Sequence, residues 1–375
     1  MTYLYCCRIF FVFLQTNMGK VVHNNYITIA KAIGIILMVI GHSGCPVLLF
    51  RFIYLFHMPL FFFCSGVFFG DISSKDDAHV FLRKRVKGLY LPFVRYSVFF
   101  LLIHNLLLIV GLYNSHYGYM GGSSFYGINE TLNNLVMILF TMHGYEELLG
   151  GFWFIRALFI ASLLIMVFSL LLSRMQKYKH ELLCLIFLVL TVFIRRYLNN
   201  SEFWRDISMG IMGAWFYMCG SLLKQYGNIW KNKYVFATCC LTLMLSMFYF
   251  NDVVKMECGY NKVIPYAIAA TSGVFVSLYV SYKVETKKSV IRQVLYYIGN
   301  RTLFILALHF LSFRLVSILL VRIYNFDFVH VAEHPVIQDI DGSIGSWWWI
   351  LYTFVGISIP LLLKYGIDSL IRKVR

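Results

Sequence analysis

Residues 27–70 read ITIAKAIGIILMVIGHSGCPVLLFRFIYLFHMPLFFFCSGVFFG, and Lys31 and Arg51 carry the only formal charges in this stretch. Two apolar runs, 27–49 and 52–70, meet at Arg51. Each run is close to the roughly 20 apolar residues that a helix needs to cross a bilayer. The stretch therefore predicts two membrane-spanning helices joined by a tight turn.

The whole chain has the same character. Of its 375 residues, 60% are hydrophobic, 18% are aromatic and 13% are charged, against roughly a quarter charged in soluble domains. The net charge of +16 lies in short clusters between apolar runs, not in one stripe or tail. This distribution indicates membrane orientation and contact with lipid, and it does not favour a nucleic-acid partner.

Apolar runs recur to the end of the chain and predict an all-α, polytopic membrane protein with about ten transmembrane helices in one bundle. The further candidate spans are 91–113, 152–173, 182–195, 207–223, 234–250, 263–282, 296–321 and 346–363. The apolar stretch 131–143 is too short to span and is expected to be re-entrant or interfacial.

Lys and Arg are distributed unevenly over the alternating loops. One set of loops holds 19 of them and the other holds 6; residues 71–90 alone contain five, and residues 114–130 contain none. The positive-inside rule then predicts that both termini of this multi-pass membrane protein are cytoplasmic.

No domain boundary interrupts residues 24–375, which we expect to form a single membrane domain. Residues 1–23 are expected to be an N-terminal extension, with Met18 as an alternative start. The cysteines show no zinc-like spacing, so no metal is expected. Cys45 and Cys258 are predicted on one side of the membrane, although neither sequence nor spacing fixes a disulfide between them.

The first span carries the clearest candidate pair. Lys31 and His42 are eleven positions apart, which is about three helical turns and roughly 16 Å of rise, so they share one helix face at two depths. Lys31 is also read as a cation that snorkels to the membrane surface. His42 could be a structural histidine in the core. Its imidazole is also suited to accept a proton from a hydroxyl group.

Two further groups accompany this pair. His57 opens the second span in the same half of the membrane as His42, close enough in sequence for the two rings to meet. Arg83 and Arg85 lie in the most basic loop, which is read either as a topology signal that touches anionic lipid or as a clamp for phosphate oxygens.

These residues resemble motifs of the membrane acyltransferase-3 family, which includes bacterial O-acetyltransferases of surface polysaccharides and glycolipids. That family carries an arginine, ten residues and a histidine in its first span, where this chain has Lys31 and His42. Lysine keeps the charge but loses the bidentate fork. Further matches are the segment Phe56 to Gly66, which resembles F-H-x-P-L-F-F-x-x-S-G; Arg83 and Arg85 before Pro92; Gly151 to Arg156; and Ile298 to His309.

The resemblance implies acyl-CoA, expected to be acetyl-CoA, as the donor substrate, with Arg83 and Arg85 as its binding residues. It implies a hydroxyl of a cell-surface saccharide or lipid-linked glycan as the acceptor. His42, Lys31 and His57 are then the catalytic candidates. Trp153, Arg156 and His309 are candidates for substrate binding or for stabilising the oxyanion.

A second class of function fits the same spans and buried histidines: a transporter or flippase for lipid-linked saccharides, in which polar groups line a passage and no bond is made. Turnover of acetyl-CoA by the purified protein separates the two classes. The sequence does not indicate the acyl group, the acylated position or the oligomeric state.

Overall fold

The structure is a computed structural model that describes residues 25–374 apart from residues 120, 145, 176, 199–200, 251, 257–261 and 339–346. Its described residues form helices and loops with no β-strand. The all-α prediction is confirmed. The predicted extension 1–23 and Cys258 lie outside the described residues.

The first half of the chain contains seven α-helices. They are α1 Asn25–His42, α2 Val47–Tyr54, α3 His57–Val67, α4 Lys75–Arg85, α5 Leu91–Ile109, α6 Ile128–Thr141 and α7 Trp153–Leu171. A π-helical turn, Val86–Tyr90, joins α4 to α5, and a 3-10 helix, Glu147–Phe152, leads into α7.

The second half continues with α8 Lys179–Tyr197, α9 Glu202–Tyr226, α10 Lys233–Tyr249, α11 Val263–Glu285, α12 Val290–Gly299, α13 Thr302–Tyr324 and α14 Trp348–Val374. Short 3-10 helices occur at Ile229–Lys231 and Phe328–Ala332.

Six described segments are long and apolar enough to cross a membrane: Val47–Val67, Lys75–Ile109, Glu147–Leu171, Val263–Glu285, Thr302–Tyr324 and Trp348–Arg372. Two shorter apolar helices, Tyr26–His42 and Lys233–Tyr249, accompany them. The predicted fifth and sixth spans are helical as α8 and α9 but fall outside this set. The count of about ten spans stays a prediction.

Two boundaries differ from the prediction. The first helix ends at His42, not at residue 49, because Gly44 adopts a φ of +78° and Pro46 caps the next helix. Residues 71–90, predicted as a loop, are largely helical because Ser74 and Asp77 form a capping box that starts α4. The stretch 131–143, expected to be re-entrant or interfacial, lies mainly in the separate helix α6.

Apolar side chains cover much of the outer surface. Leu102 on α5, Phe248 on α10 and Phe354 on α14 are each at least two-thirds exposed. Exposed apolar surface on this scale is unfavourable in water and favourable against lipid tails. The surface therefore agrees with the composition in assigning this chain to a membrane.

Helices α3 and α9 approach each other through glycines. A Cβ atom on Gly66 would lie 1.7 Å from the backbone oxygen of Tyr217, and one on Gly220 would lie 2.1 Å from that of Phe63. Small residues allow such close approach, which membrane helices use in place of a hydrophobic driving force. This contact holds α3, with His57 at its first turn, against the rest of the bundle.

We predict that Gly66→Ala lowers the stability of the protein by about 1–3 kcal/mol or more, because the added methyl group overlaps backbone that has no rotamer to change. Gly366→Ala is the matched control, since this helical glycine has no atom within 4 Å of its Cβ position. The unfolding temperature in detergent measures both. Equal unfolding temperatures for the two variants would contradict the close-packed crossing.

Candidate functional site

One face of α1 lines two neighbouring cavities. Lys31, Ile35, Met38 and His42 follow one another at helical spacing along this face. The cavity around His42 has a volume of about 210 Å³, and the cavity around Lys31 has a volume of about 200 Å³. The predicted sharing of one helix face by Lys31 and His42 is present in the structure.

The His42 cavity is lined by residues from five α-helices (α1, α2, α3, α7 and α13), the 3-10 helix Glu147–Phe152 and three loops. Its histidines come from α1, α3 and the segment after α13. Its lining residues are Met38, His42, Tyr54, His57, Met58, Tyr119, Gly150, Gly151, Trp153, Lys255, Met256, Leu306, Phe310 and His334.

His57 is held in one orientation at this cavity. Its Nδ1 lies 2.9 Å from the backbone oxygen of Ile53. A carbonyl oxygen only accepts hydrogen bonds, so Nδ1 carries the hydrogen and Nε2 of the neutral ring is left as an acceptor. The side chain is 2% exposed, so water competes little for this arrangement.

His309 supports His42 from behind the cavity wall. Their ring centroids are 5.6 Å apart, and Phe310 packs 5.1 Å from the His42 ring. His309 Nδ1 lies 2.9 Å from the backbone oxygen of Leu306, which it donates to by the same reasoning. Its buried Nε2 has no hydrogen-bond partner among the described residues. His309 thus belongs to the cluster as a neighbour of His42, without lining the cavity.

His334 comes from the segment after α13, and no sequence pattern singled it out. Burial, with Arg314 and His309 nearby, lowers the pKa of His334 to about 3. The ring is therefore neutral at physiological pH. It packs against Phe310, with ring centroids 4.4 Å apart.

Arg314 fastens this segment to the bundle. Its guanidinium donates to the backbone oxygens of Ala332, at 3.1 Å, and of Glu333. The side chain is 1% exposed, and a buried cation is tolerated only where such acceptors replace water. Arg314, a charged residue within the candidate span 296–321, thereby sets the position of His334.

A second loop covers the cavity with Tyr119. The carboxylate of Glu147 accepts from the backbone N–H of Tyr119 and from the hydroxyl of Ser123, at 3.2 Å. Behind it, Glu146 lies 2.5 Å from Nδ1 of His104, whose other nitrogen lies 2.9 Å from the backbone oxygen of Ser124. Through these contacts, the buried carboxylates fix Tyr119, Ser123 and Ser124, of which Tyr119 lines the cavity.

Sequence reasoning also missed Tyr54 and Lys255. Lys255 Nζ lies 5.6 Å from the centroid of the Tyr54 ring, and both side chains line the cavity. The residue pattern gave little signal for either, because Tyr54 is one aromatic among many and Lys255 lies in a polar connection. Among the described residues, no group of three or more His, Cys, Asp or Glu is placed to hold a metal ion.

The Lys31 cavity is more apolar. Its lining residues are Lys31, Ile35, Met38, Met58, Phe61, Ser65, Gly88, Leu89, Phe154, Ile155, Leu158, Thr302, Leu303 and Leu306. Gly88 and Leu89 belong to the π-helical turn that follows α4. This turn connects the wall of the cavity directly to the basic end of α4.

Arg83 and Arg85 lie on that last turn of α4. Arg83 is exposed. Arg85 is half-buried, donates to the hydroxyl of Tyr217 and lies 4.7 Å from the centroid of the Phe81 ring. Neither arginine lines the Lys31 cavity, but Arg85 precedes Gly88 of the cavity wall by only three residues.

The two oxyanion candidates from α7 fall in different places. Trp153 lines the His42 cavity. Arg156 lines neither cavity: its Nη1 lies 2.5 Å from the carboxylate of Asp206 and its Nε donates to the backbone oxygen of Thr141 at 3.0 Å. The geometry thus favours Trp153 over Arg156 for contact with a bound molecule.

Comparison with known proteins gives one match. A family model described as an acyltransferase domain matches residues 24–365, nearly the whole chain. No curated protein and no solved structure matches the chain.

We predict that Arg314→Met frees the segment that carries His334. Charge-assisted hydrogen bonds contribute roughly 1.5–3 kcal/mol each, so amide hydrogen exchange in residues 328–338 should become about tenfold faster or more. Arg322→Met is the matched control, because Arg322 is exposed on the same helix. Hydrogen exchange with mass spectrometry measures both, and unchanged exchange in a folded Arg314→Met protein would contradict the role of Arg314.

Proposed function

Because this chain belongs to the acyltransferase-3 family, we propose that it is an O-acyltransferase, expected to be an O-acetyltransferase. It takes the acyl group from cytoplasmic acyl-CoA. It transfers that group to a hydroxyl of a cell-surface saccharide or a lipid-linked glycan.

The observation that carries this proposal is the alignment of the two cavities along α1. The Lys31 cavity has a cation and largely apolar walls, and the His42 cavity has three histidines in its wall. About 16 Å of helix separates Lys31 from His42. A donor with an anionic head and a long arm fits the first cavity, and a polar acceptor fits the second.

The residues around the Lys31 cavity fit a CoA thioester. Its phosphates carry negative charge, which Arg83, Arg85 and Lys31 would balance. Its pantetheine arm would pass between apolar side chains such as Ile35 and Phe154. The charge distribution of the loops supports an orientation with this end and both termini on the cytoplasmic side, where acyl-CoA is available. The membrane in this proposal is the bacterial inner membrane.

His42 acts as the general base on the acceptor. One imidazole nitrogen takes the proton of the acceptor hydroxyl while the hydroxyl oxygen attacks the thioester carbonyl. The carbon–sulfur bond then breaks, CoA leaves as the thiolate, and the imidazolium returns the proton to the sulfur. In a second route, His42 itself first takes the acyl group from CoA and then passes it to the hydroxyl, so the overall products are the same.

The neighbours of His42 have separate tasks in this mechanism. Nε2 of His57 is a fixed hydrogen-bond acceptor, so it can orient the hydroxyl group that receives the acyl group. His309 holds the His42 ring in place through direct ring contact. Trp153 has an indole N–H that can donate to the developing oxyanion, where a donor is most effective.

For donor binding, we predict that Arg83→Ala and Arg85→Ala each raise the KM for acetyl-CoA about tenfold or more, because each removes charge-assisted hydrogen bonds to phosphate. Release of CoA by purified protein measures this. Lys84→Ala, an exposed cation on the same turn, is the control for general loss of charge. Wild-type KM values in both variants would mean that Arg83 and Arg85 only help to orient the chain in the membrane.

For catalysis, we predict that His42→Ala lowers kcat by about a hundredfold to ten-thousandfold with little change in donor KM, since general-base assistance is worth that much. His57→Ala should lose less if His57 only orients the acceptor. His116→Ala, an exposed loop histidine, should resemble wild type.

The same variants test the function in cells. Mass analysis of surface glycans and glycolipids should show an acyl mass with the wild-type gene and lose it without the gene or with His42→Ala. Transfer within a few-fold of wild type by a well-expressed His42→Ala protein would contradict the mechanism. An absence of acetyl-CoA turnover, with altered glycan export, would favour the flippase.

A further inference from the structure

Three side chains lie between the two cavities. Met38, Met58 and Leu306 line both the His42 cavity and the Lys31 cavity. They come from α1, α3 and α13. We call these three side chains the septum.

All three septum side chains are buried. Met38 is 2% exposed, Leu306 is 6% exposed and Met58 is 8% exposed. Leu306 also packs closely against Gly151, since a Cβ atom on Gly151 would lie only 2.9 Å from the Cδ1 atom of Leu306. Glycine at position 151 therefore leaves just enough room for the leucine side chain.

Each septum residue stands beside a histidine on its own helix. Met38 precedes His42 by one turn, Met58 follows His57 directly, and Leu306 precedes His309 by three residues. On the other side of the septum, the same helices contribute Ile35, Ser65 and Thr302 to the Lys31 cavity. The septum therefore marks the plane between the cation-lined and the histidine-lined space.

We propose that the septum seals the Lys31 cavity from the His42 cavity and sets the longest acyl chain that the protein transfers. The inference rests on the proposed function, because an acyl group attacked near His42 must have its carbonyl within about 3–3.5 Å of the attacking oxygen. Met38, Met58 and Leu306 line the same cavity as His42, so an acyl chain on that carbonyl would lie within reach of them.

The chemistry of these side chains suits both tasks. Methionine is unbranched and flexible, so Met38 and Met58 can move aside for a thioester and close again. Leu306 is branched and backed by Gly151, so it is the more rigid limit on chain length. A close-packed wall of this kind rejects extra methylene groups, each of which can change specificity by about tenfold or more.

The seal is tested without any turnover, by introducing a cysteine at Ser65 in a Cys64→Ser background. Ser65 lines the Lys31 cavity alone. A small, charged, membrane-impermeant methanethiosulfonate is added to one side of the membrane at a time, and peptide mass spectrometry measures the modification. With the septum intact, reagent from only one side should react; with Leu306→Ala, reagent from both sides should react.

Met212→Ala is the matched control for loss of packing, since Met212 is 1% exposed and lines neither cavity. It should keep the one-sided reaction. Reaction from both sides with the septum intact, or from one side only in folded Leu306→Ala, would overturn the seal. If Leu306→Ala does not fold, Leu306→Val and Met58→Ala provide smaller and alternative openings for the same measurement.

The length limit is tested with acetyl-, butyryl- and hexanoyl-CoA. Leu306→Ala removes three carbon atoms from the wall, so the ratio of kcat/KM for hexanoyl-CoA to that for acetyl-CoA should rise by about tenfold or more. Met212→Ala should keep the wild-type ratio. A ratio within about twofold of wild type in folded Leu306→Ala would overturn the limit. If wild type turns over no acyl-CoA, the proposed function fails, whereas the labelling result still decides the seal.

Discussion

Lys31 and His42 lie on one face of one apolar helix, and the surrounding structure is arranged to accommodate them. A cation or imidazole inside a membrane span is costly unless it faces protein or a water-filled space. Helices α3, α7 and α13 supply that surrounding by enclosing a cavity at each end of this face. The separation of the two groups by about three turns then gives the protein a cationic space and a histidine-lined space in series.

Other buried charges position the loops that complete the histidine-lined space. Arg314 donates hydrogen bonds to the backbone oxygens of Ala332 and Glu333, and the carboxylate of Glu147 accepts one from the backbone N–H of Tyr119. In each case, a costly buried ion is satisfied by the backbone of a loop. The free-energy cost of burying these ions without partners therefore favours the arrangement in which His334 and Tyr119 lie at the cavity.

Local patterns in the sequence carried much of the fold and part of the site. Apolar length predicted the helices, and spacing on α1 predicted the shared face of Lys31 and His42, because both features depend on one segment alone. The start of α3 at His57 was harder to predict, since the backbone breaks at Gly44 and again before His57 within continuously apolar sequence. His334, Tyr119 and Lys255 escaped prediction because loops from distant parts of the chain bring them together. Arg156 looked suitable by position, but its ion pair with Asp206 could be seen only in three dimensions.

In the proposed complex, acyl-CoA lies along α1, with its phosphates at the basic end of α4 and its acyl group at Met38, Met58 and Leu306. The most direct test is a cryo-electron microscopy structure of the protein in a lipid nanodisc with a thioether analogue of acetyl-CoA that cannot be cleaved. We predict phosphate density in contact with Arg83 and Arg85 and the acyl end of the analogue next to His42. Phosphate density beside Lys255 and His334, or binding outside both cavities, would contradict it.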